Sequence, residues 1–243
     1  MRTEVTFGTT ELTDLCVVSD LRTSLLPRSV STEDVPGRDG SLFTGARLSP
    51  RTVTLRMTTR GRTPAAKREA SRLLAQALNV SEPTKLEFSF DGGLYYLAVP
   101  ESSGDGTWYA HADGFDVSFL IPDPVMYGAD RSVSINNANA TTINVGGTYP
   151  TLPTVSVVAA RGGTGNVYTI MHNEASQYLQ ASVPTSSSHA VIFDCAKRVL
   201  TVDGATKAMP VLADWIALTP GTNTLQRTAG SGAYVVRWTE RWV

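Results

Sequence analysis

Alternating apolar and polar residues indicate several strands in the first half of the chain. Residues 53–57 read Val-Thr-Leu-Arg-Met, and residues 115–121 alternate in the same way. Successive side chains of a strand point to opposite faces of a sheet, so this period of two predicts strands with one buried face. Residues 86–90 and 95–99 are also strand-like, and Asp91-Gly92-Gly93 between them suits a hairpin turn.

One helix is predicted in this half, over about residues 64–79. Thr63 is a suitable N-cap, and Pro64 fits the first turn, where no intrahelical N–H is needed. Pro83 closes the region. The apolar residues with helical spacing are Ala66, Ala70, Leu73, Leu74, Ala77 and Leu78.

The second half of the chain has the pattern of an all-β domain. After Pro124 the composition shifts toward Asn, Thr, Gly and Ser. Short strand candidates then recur at the spacing typical of a sandwich, with a hairpin turn at Asp203-Gly204 and another turn at Pro220-Gly221. These candidates are residues 154–159, 167–171, 178–183, 190–195, 199–202 and 234–238. We therefore predict two domains, residues 1–128 and 129–243, with a linker or hinge over about 129–153.

Charge and hydropathy exclude two classes of partner. The 243 residues carry 21 Lys and Arg against 22 Asp and Glu, a net charge of −1, without the basic footprint that binding to nucleic acid requires. No apolar stretch approaches the ~18 residues of a membrane span, so we expect no membrane insertion. The two cysteines, Cys16 and Cys195, match no metal-ligand spacing and are expected to be buried small residues.

The usual local signatures of catalysis are missing from the sequence. His111, His172 and His189 are scattered, and neither a Gly-x-Ser-x-Gly elbow nor a phosphate-binding Gly-x-x-x-x-Gly-Lys-Ser/Thr loop occurs. We therefore predict no enzyme, no metal and no cofactor. A glycoside hydrolase remains an alternative, because two carboxylates need only meet in space. Its candidates are Glu87, Asp91 and Glu101.

Aromatic residues leave a second alternative open, a carbohydrate-binding β-sandwich module without catalysis. Trp108, Tyr109, Trp238 and Trp242 are the candidates for a platform on which sugar rings stack. Core packing or a subunit interface would use the same residues.

Several loops combine residues that restrict the backbone. Val35-Pro36-Gly37-Arg38-Asp39-Gly40 joins a rigid proline to two glycines and a charged pair, which indicates a turn of defined shape. Residues 122–128, Pro-Asp-Pro-Val-Met-Tyr-Gly, form a restrained exit from the preceding strand.

Taken in order, these pieces resemble the distal tail protein family of siphophages and their prophages. The resemblance runs along almost the whole chain and rests on short motifs in a fixed order. The motifs are Phe7-Gly8, the Pro-Gly-x-Asp-Gly loop at 36–40, the strand–helix–strand region from 51 to 90, Tyr95-Tyr96, the Asp-Pro-x-x-Tyr-Gly exit at 123–128, the Gly-Thr-x-Pro-Thr-x-Pro segment at 147–153 and the Leu-x-Pro-Gly-x-Asn turn at 218–223.

The resemblance implies a structural virion protein. Its fold would be mainly β, with an N-terminal β-sandwich or barrel-like domain carrying one helix and a C-terminal galectin-like antiparallel sandwich. The protein would be made in the bacterial host cytoplasm, and six copies would form a ring at the virion tail tip. This ring would join the tail tube protein to the tail-associated hub protein and, in some phages, to a receptor-binding protein. The residues expected to serve assembly or local structure are Pro36, Gly37, Asp39, Gly40, Asp123, Pro124, Tyr127, Gly128, Gly147, Pro150, Pro153, Pro220, Gly221 and Asn223.

Overall fold

A computed structural model describes residues 4–103, 107–108, 113–136 and 138–243 of the chain. It divides into two compact units, Met1–Tyr127 with Val243, and Gly128–Trp242. Strands take up 57% of the residues and helices 11%. The predicted mainly β fold class is therefore confirmed.

The first unit is built on an antiparallel sheet with strand order β2-β1-β7-β8-β10-β6-β3. A separate pair, β4-β5, stands outside that sheet, and β9 pairs with β10. The elements are β1 (Val5–Phe7), β2 (Thr10–Glu11), α1 (Leu12–Leu15), β3 (Cys16–Thr23), β4 (Arg28–Asp34), β5 (Ser41–Leu48), β6 (Arg51–Thr59), α2 (Pro64–Leu78), β7 (Thr84–Phe88), β8 (Tyr95–Ser103), β9 (Thr107–Trp108), β10 (Asp113–Ile121) and the start of β11 (Met126–Ile135).

The core of this unit follows from the alternation seen in the sequence. Val53, Leu55 and Met57 of β6 are buried, while the residues between them face outward. They pack with the inward residues of β1, β7 and β10, including Phe7, Phe88 and Phe119. The alternating pattern therefore correctly predicts both the strand and its buried face.

Helix α2 begins where the sequence predicts. The Thr63 side chain accepts a hydrogen bond of 3.2 Å from the backbone N–H of Ala66, and Pro64 occupies the first turn. Of the predicted apolar face, Ala70 and Leu74 are buried, but Ala66 and Leu73 are exposed. The helix thus contacts the core through a narrow stripe rather than a broad face.

Two local predictions in the first unit need correction. A second helix, α1, is present, where the sequence predicts only one; it has four residues and no side-chain cap at Glu11, so it leaves no periodic signal. The strand expected over 86–90 ends at Phe88, and Ser89–Asp91 forms a 3₁₀ turn. The β7–β8 hairpin itself is confirmed, with Gly92 at φ 64° and Gly93 at φ 89°.

The second unit is a sandwich of two antiparallel sheets. One has strand order β18-β17-β16-β13-β20-β11, and the other β12-β19-β14-β15. The elements after β11 are β12 (Thr141–Val145), β13 (Thr154–Arg161), β14 (Val167–His172), β15 (Gln177–Ser182), β16 (His189–Asp194), β17 (Val199–Val202), β18 (Ala205–Lys207), β19 (Gly221–Ala229) and β20 (Ser231–Trp242), with a short 3₁₀ turn at Thr164–Asn166. Inward residues of both sheets, such as Tyr168, Phe193 and Tyr234, form one core.

The segment expected to be a linker, 129–153, is largely built into the second unit. It contains most of β11 and all of β12, and it buries Ile135, Ile143 and Val145 in the sandwich core. Exposed Asn136 and Asn139 lie between the two strands, and exposed Thr142 and Asn144 alternate with buried residues of β12, which is why composition alone suggests a linker.

Both cysteines are buried and free, as expected. Burial raises the pKa of the Cys16 thiol to about 11 and that of Cys195 to about 12. The two side chains therefore remain protonated and act as small apolar core residues.

Candidate functional site

The strand pair β4–β5 is unlike the other strands of the first unit. The two strands pair with each other from Arg28 opposite Leu48 to Asp34 opposite Ser41, and form a sheet of only two strands. Every residue of β4 is exposed. We call residues 28–48 the arm. A two-stranded hairpin with no packed face is marginally stable alone in water, so an arm of this kind is suited to a partner surface.

The tip of the arm contains four of the predicted assembly residues, Pro36, Gly37, Asp39 and Gly40. Gly37 and Gly40 have φ of 80° and 79°, a region that other residues rarely adopt, and a Cβ on either would meet open space. The N–H of Arg38 donates to the carbonyl of Val35 at 3.2 Å. The tip is therefore an exposed turn whose shape depends on backbone conformation rather than on packing.

Large apolar side chains are exposed along the arm and at its base. Phe43 is 63% exposed and Val30 59%, and Leu25, just before the arm, is 95% exposed. Val35 and Leu42 are exposed as well. Apolar groups gathered on one projecting element are typical of an interaction surface. Sequence reasoning identifies only the tip and misses Val30 and Phe43, because a hairpin exposed on both faces shows no alternation.

A buried arginine fixes the base of the arm. Arg51, 6% exposed, donates to the Tyr96 hydroxyl at 2.6 Å and to the carbonyl of Leu25 at 3.2 Å. Burial raises the pKa of Tyr96, so the hydroxyl stays neutral and can accept this bond. The N–H of Ser49 donates to the carbonyl of Pro27 at 3.1 Å. Hydrogen bonds therefore hold together the two chain segments from which the arm extends.

The exit motif at 123–128 is used inside the first unit. The Tyr127 hydroxyl donates to the Asp123 carboxylate at 2.5 Å, and the Tyr127 ring stacks on Tyr95 with centroids 5.8 Å apart. Pro124 is buried. Gly128 is partly buried and is the first residue of the second unit. The motif fixes the path by which β10 leads into β11.

The motif at 147–153 is hydrogen-bonded to the end of β20. Gly147 has φ 97°, and a Cβ there would lie 2.2 Å from the carbonyl oxygen of Arg241. That oxygen accepts bonds from the N–H groups of Thr148 and Tyr149, and the Arg241 guanidinium donates to the carbonyl of Pro150 at 3.1 Å. Pro153 accepts from the N–H of Cys195 at 3.1 Å.

The turn at Pro220-Gly221 closes around a buried side chain. Asn223 is fully buried; its carbonyl oxygen accepts from the N–H of Thr219 at 2.9 Å, and its amide donates to the carbonyls of Thr219 and Gly221 at 2.7 and 3.0 Å. Gly221 has φ 94°. Of the four groups of predicted residues, all of which are described, the arm tip is thus the one in which every residue is exposed.

Of the aromatic residues considered for sugar binding, the two whose side chains are described are buried or partly buried. Trp238 is only 8% exposed, so its ring is not available for stacking on a sugar. Trp242 is partly buried. Glu87 forms an ion pair of 2.7 Å with Lys85. The Trp108 side chain, Tyr109 and His111 lie outside the described residues.

No group of three or more His, Cys, Asp or Glu side chains that could hold a metal ion is found among the described residues. Within those same residues, no helix is long and apolar enough to cross a membrane.

Comparisons with known proteins agree with this architecture. Residues 11–120 match the phage tail protein RIFT-related domain, and residues 146–242 match the C-terminal domain of the siphovirus-type tail component. Both units therefore contain domains of siphovirus tail proteins. No curated protein matches the chain in sequence.

Solved structures give the same result for the fold. The SPP1 Dit protein, described as a paradigm of the hub adsorption apparatus in phages that infect Gram-positive bacteria, superposes with a TM-score of 0.80 at 18% identity, over 100% of both chains. A chain of the phage P2 baseplate in its activated conformation with Ca gives 0.52 at 7% identity over 99% of this chain and 98% of its own. The two family models together span most of the chain, which is therefore a tail component of the siphovirus type, and its fold is that of the distal tail protein SPP1 Dit.

Proposed function

We propose that this chain forms a homohexameric ring at the virion tail tip. The ring joins the tail tube protein to the tail-associated hub protein and to the host-adhesion apparatus, which in some phages includes a receptor-binding protein. The chain is made in the bacterial host cytoplasm and enters the virion on assembly. The function is geometric and requires no reaction. The observation that carries the proposal is the exposed arm of the first unit.

The arm has the length and chemistry of an inter-subunit contact. Strands of seven and eight residues extend about 25 Å at ~3.3 Å per residue. Burying each large apolar side chain against a neighbour stabilises the contact by about 1.5–3 kcal/mol. Phe43, Val30 and Leu42 together therefore supply enough free energy to offset much of the cost of association.

The strand that precedes the arm offers a second contact. β3 lies at the end of the strand order and pairs on one side with β6, so its other edge is unpaired among the described strands. Exposed edges pair readily with another chain, and a closed ring would protect six of them. The net charge of −1 imposes little repulsion between copies.

Solution mass tests the ring directly. Six chains of 26.0 kDa have a mass of about 156 kDa as one closed assembly. We expect light scattering over a concentration series to detect this species. Phe43→Asp, which places a charge on the arm, should return the protein to the 26.0 kDa monomer.

The matched control is Leu212→Asp, at an exposed residue of the second unit. It should leave the hexamer intact. Two results together would contradict the proposal: a wild-type protein that stays monomeric at every concentration, and a Leu42→Cys variant whose thiol-attached photo-crosslinker links no neighbouring copy on assembled tails.

A further inference from the structure

Three side chains of the second unit form a connected chain of hydrogen bonds. The Ser187 Oγ lies 2.6 Å from His189 Nε2, and His189 Nδ1 lies 2.6 Å from Asp203 Oδ2. Ser187 is in the loop between β15 and β16, His189 begins β16, and Asp203 follows β17. This order of atoms, hydroxyl to Nε2 and Nδ1 to carboxylate, is that of a Ser-His-Asp triad.

The protons in this chain can be assigned from its chemistry. Hydrogen bonding from His189 lowers the pKa of Asp203, so its carboxylate is ionised at neutral pH and only accepts. In a neutral imidazole the nitrogen that faces this carboxylate, Nδ1, carries the proton, which leaves Nε2 as an acceptor. Ser187 is then the donor to Nε2, which is the arrangement that activates a serine hydroxyl as a nucleophile.

The backbone holds the carboxylate in place. Asp203 Oδ1 accepts a bond of 2.8 Å from the N–H of Ala190, and the N–H of Asp203 donates to the carbonyl of Ala190 at 2.8 Å. Asp203 and Gly204 form the two-residue turn between β17 and β18, with φ of 51° and 79°. The His189 side chain is only 18% exposed. The base is thus oriented before any ligand arrives.

The serine faces solvent, and a cation contacts the residue that follows it. Ser187 is exposed. Arg161 Nε donates to the Oγ of the next residue, Ser188, at 3.0 Å, which brings a guanidinium to the serine loop. Charged donors of this kind stabilise the oxyanion that develops when a hydroxyl attacks a carbonyl.

We propose that Ser187 is a base-activated nucleophile that accepts acyl groups from small carboxylic esters. Ser187 Oγ attacks the carbonyl carbon while His189 Nε2 takes its proton; the ester C–O bond breaks and the leaving alkoxide receives that proton. Water then attacks the acyl-serine by the same route and releases the carboxylic acid. Because Ser187 is exposed, small soluble esters can reach it from solvent. This activity is independent of ring formation.

A fluorophosphonate probe tests the nucleophile on the full chain. Ser187 Oγ displaces fluoride from phosphorus, and peptide mass spectrometry identifies the labelled serine. We expect the label on Ser187, absent from Ser187→Ala and unchanged in Ser186→Ala, its exposed neighbour. General-base catalysis contributes about 10²- to 10⁴-fold, so His189→Ala should lower the labelling rate by about 10²-fold or more.

Asp203 could orient His189 or could only stabilise the turn, and Asp203→Asn distinguishes these two roles. Asn also adopts positive φ readily and keeps an oxygen for the Ala190 N–H. Its amide nitrogen, however, donates to His189 Nδ1 and moves the imidazole proton to Nε2. We expect ¹⁵N NMR of His189 to report this change of tautomer, and labelling to fall as in His189→Ala, while acetate release from p-nitrophenyl acetate falls in parallel.

Equal labelling of Ser186, Ser187 and Ser188, a rate unaffected by His189→Ala, or an unchanged tautomer in Asp203→Asn would overturn the proposal. Any of these outcomes would mean that the three side chains only stabilise the loop.

Discussion

The chain contains two Pro-Gly turns that look alike in sequence and are used differently. Gly37 in the arm and Gly221 before β19 both have positive φ, 80° and 94°, and at both a Cβ would meet open space. The turn at Gly221 closes around the buried amide of Asn223, whereas the tip at Gly37 has no buried side chain beneath it. Similar local backbone chemistry thus stabilises the fold in one unit and shapes an exposed surface in the other.

The largest effect on stability is expected at the closed turn. Asn223→Ala removes four bonds and leaves the N–H, hydroxyl and carbonyl of Thr219 and the carbonyl of Gly221 without this partner. Each buried polar group left unpaired costs about 1–3 kcal/mol, so we expect a loss of about 2–4 kcal/mol in the free energy of unfolding of the second unit. Urea unfolding followed by tryptophan fluorescence measures it.

Asn144→Ala is the matched control, because Asn144 is exposed on β12. It should change stability by less than about 0.5 kcal/mol. Equal effects of the two substitutions would mean that the amide of Asn223 does not hold the turn closed.

Substituting valine for Gly37 and for Gly221 tests the difference between the two turns directly. Valine at a positive φ strains the backbone by about 1–3 kcal/mol. Gly221→Val should therefore lower the melting temperature of the second unit and leave assembly unchanged. Gly37→Val should leave the melting temperature nearly unchanged, because the arm packs on no core, but reduce the fraction of assembled protein seen by light scattering.

Gly45→Val, on β5 of the same arm, controls for added bulk. Gly45 has no positive φ, and a Cβ there meets open space. If it disrupts assembly as much as Gly37→Val, the shape of the tip is not the important property. A loss of melting temperature in Gly37→Val equal to that of Gly221→Val would show that the arm tip serves folding.

The parts of the fold that are predictable from sequence are those where one face is buried. β6 alternates visibly because Val53, Leu55 and Met57 enter the core, and α2 is signalled by its cap at Thr63. Burial imposes no pattern on β4, where every residue is exposed, so this strand is not seen. In β11, Ile135 is the one residue that is fully buried, so the strand resembles a linker.

The candidate sites also differ in how far the sequence predicts them. Pro36-Gly37 is recognisable because special backbone geometry needs special residues, whereas Val30 and Phe43 are ordinary apolar residues whose exposure only the fold reveals. The contact of Ser187, His189 and Asp203 depends on the pairing of β16 with β17 and on a loop conformation. No local motif encodes a contact of that kind.

The smallest expected effect concerns a carboxylate next to the closed turn, and it depends on pH. Hydrogen bonding from Thr224, whose N–H lies 2.7 Å from Glu174 Oε2, together with nearby His172, lowers the pKa of Glu174 below its ordinary value of 4.5. A carboxyl whose pKa is lower in the folded state stabilises the fold above its unfolded pKa, and this contribution is lost as pH falls through the folded value.

Glu174→Gln should therefore lower the melting temperature at pH 7 by about 1–2 °C, since exposed charges contribute little. The difference from wild type should shrink in acid, as pH falls through the folded pKa of Glu174. Glu33→Gln, at an exposed carboxylate of the arm, should show no such difference at either pH; if it does, general surface charge rather than the contact with Thr224 is the cause.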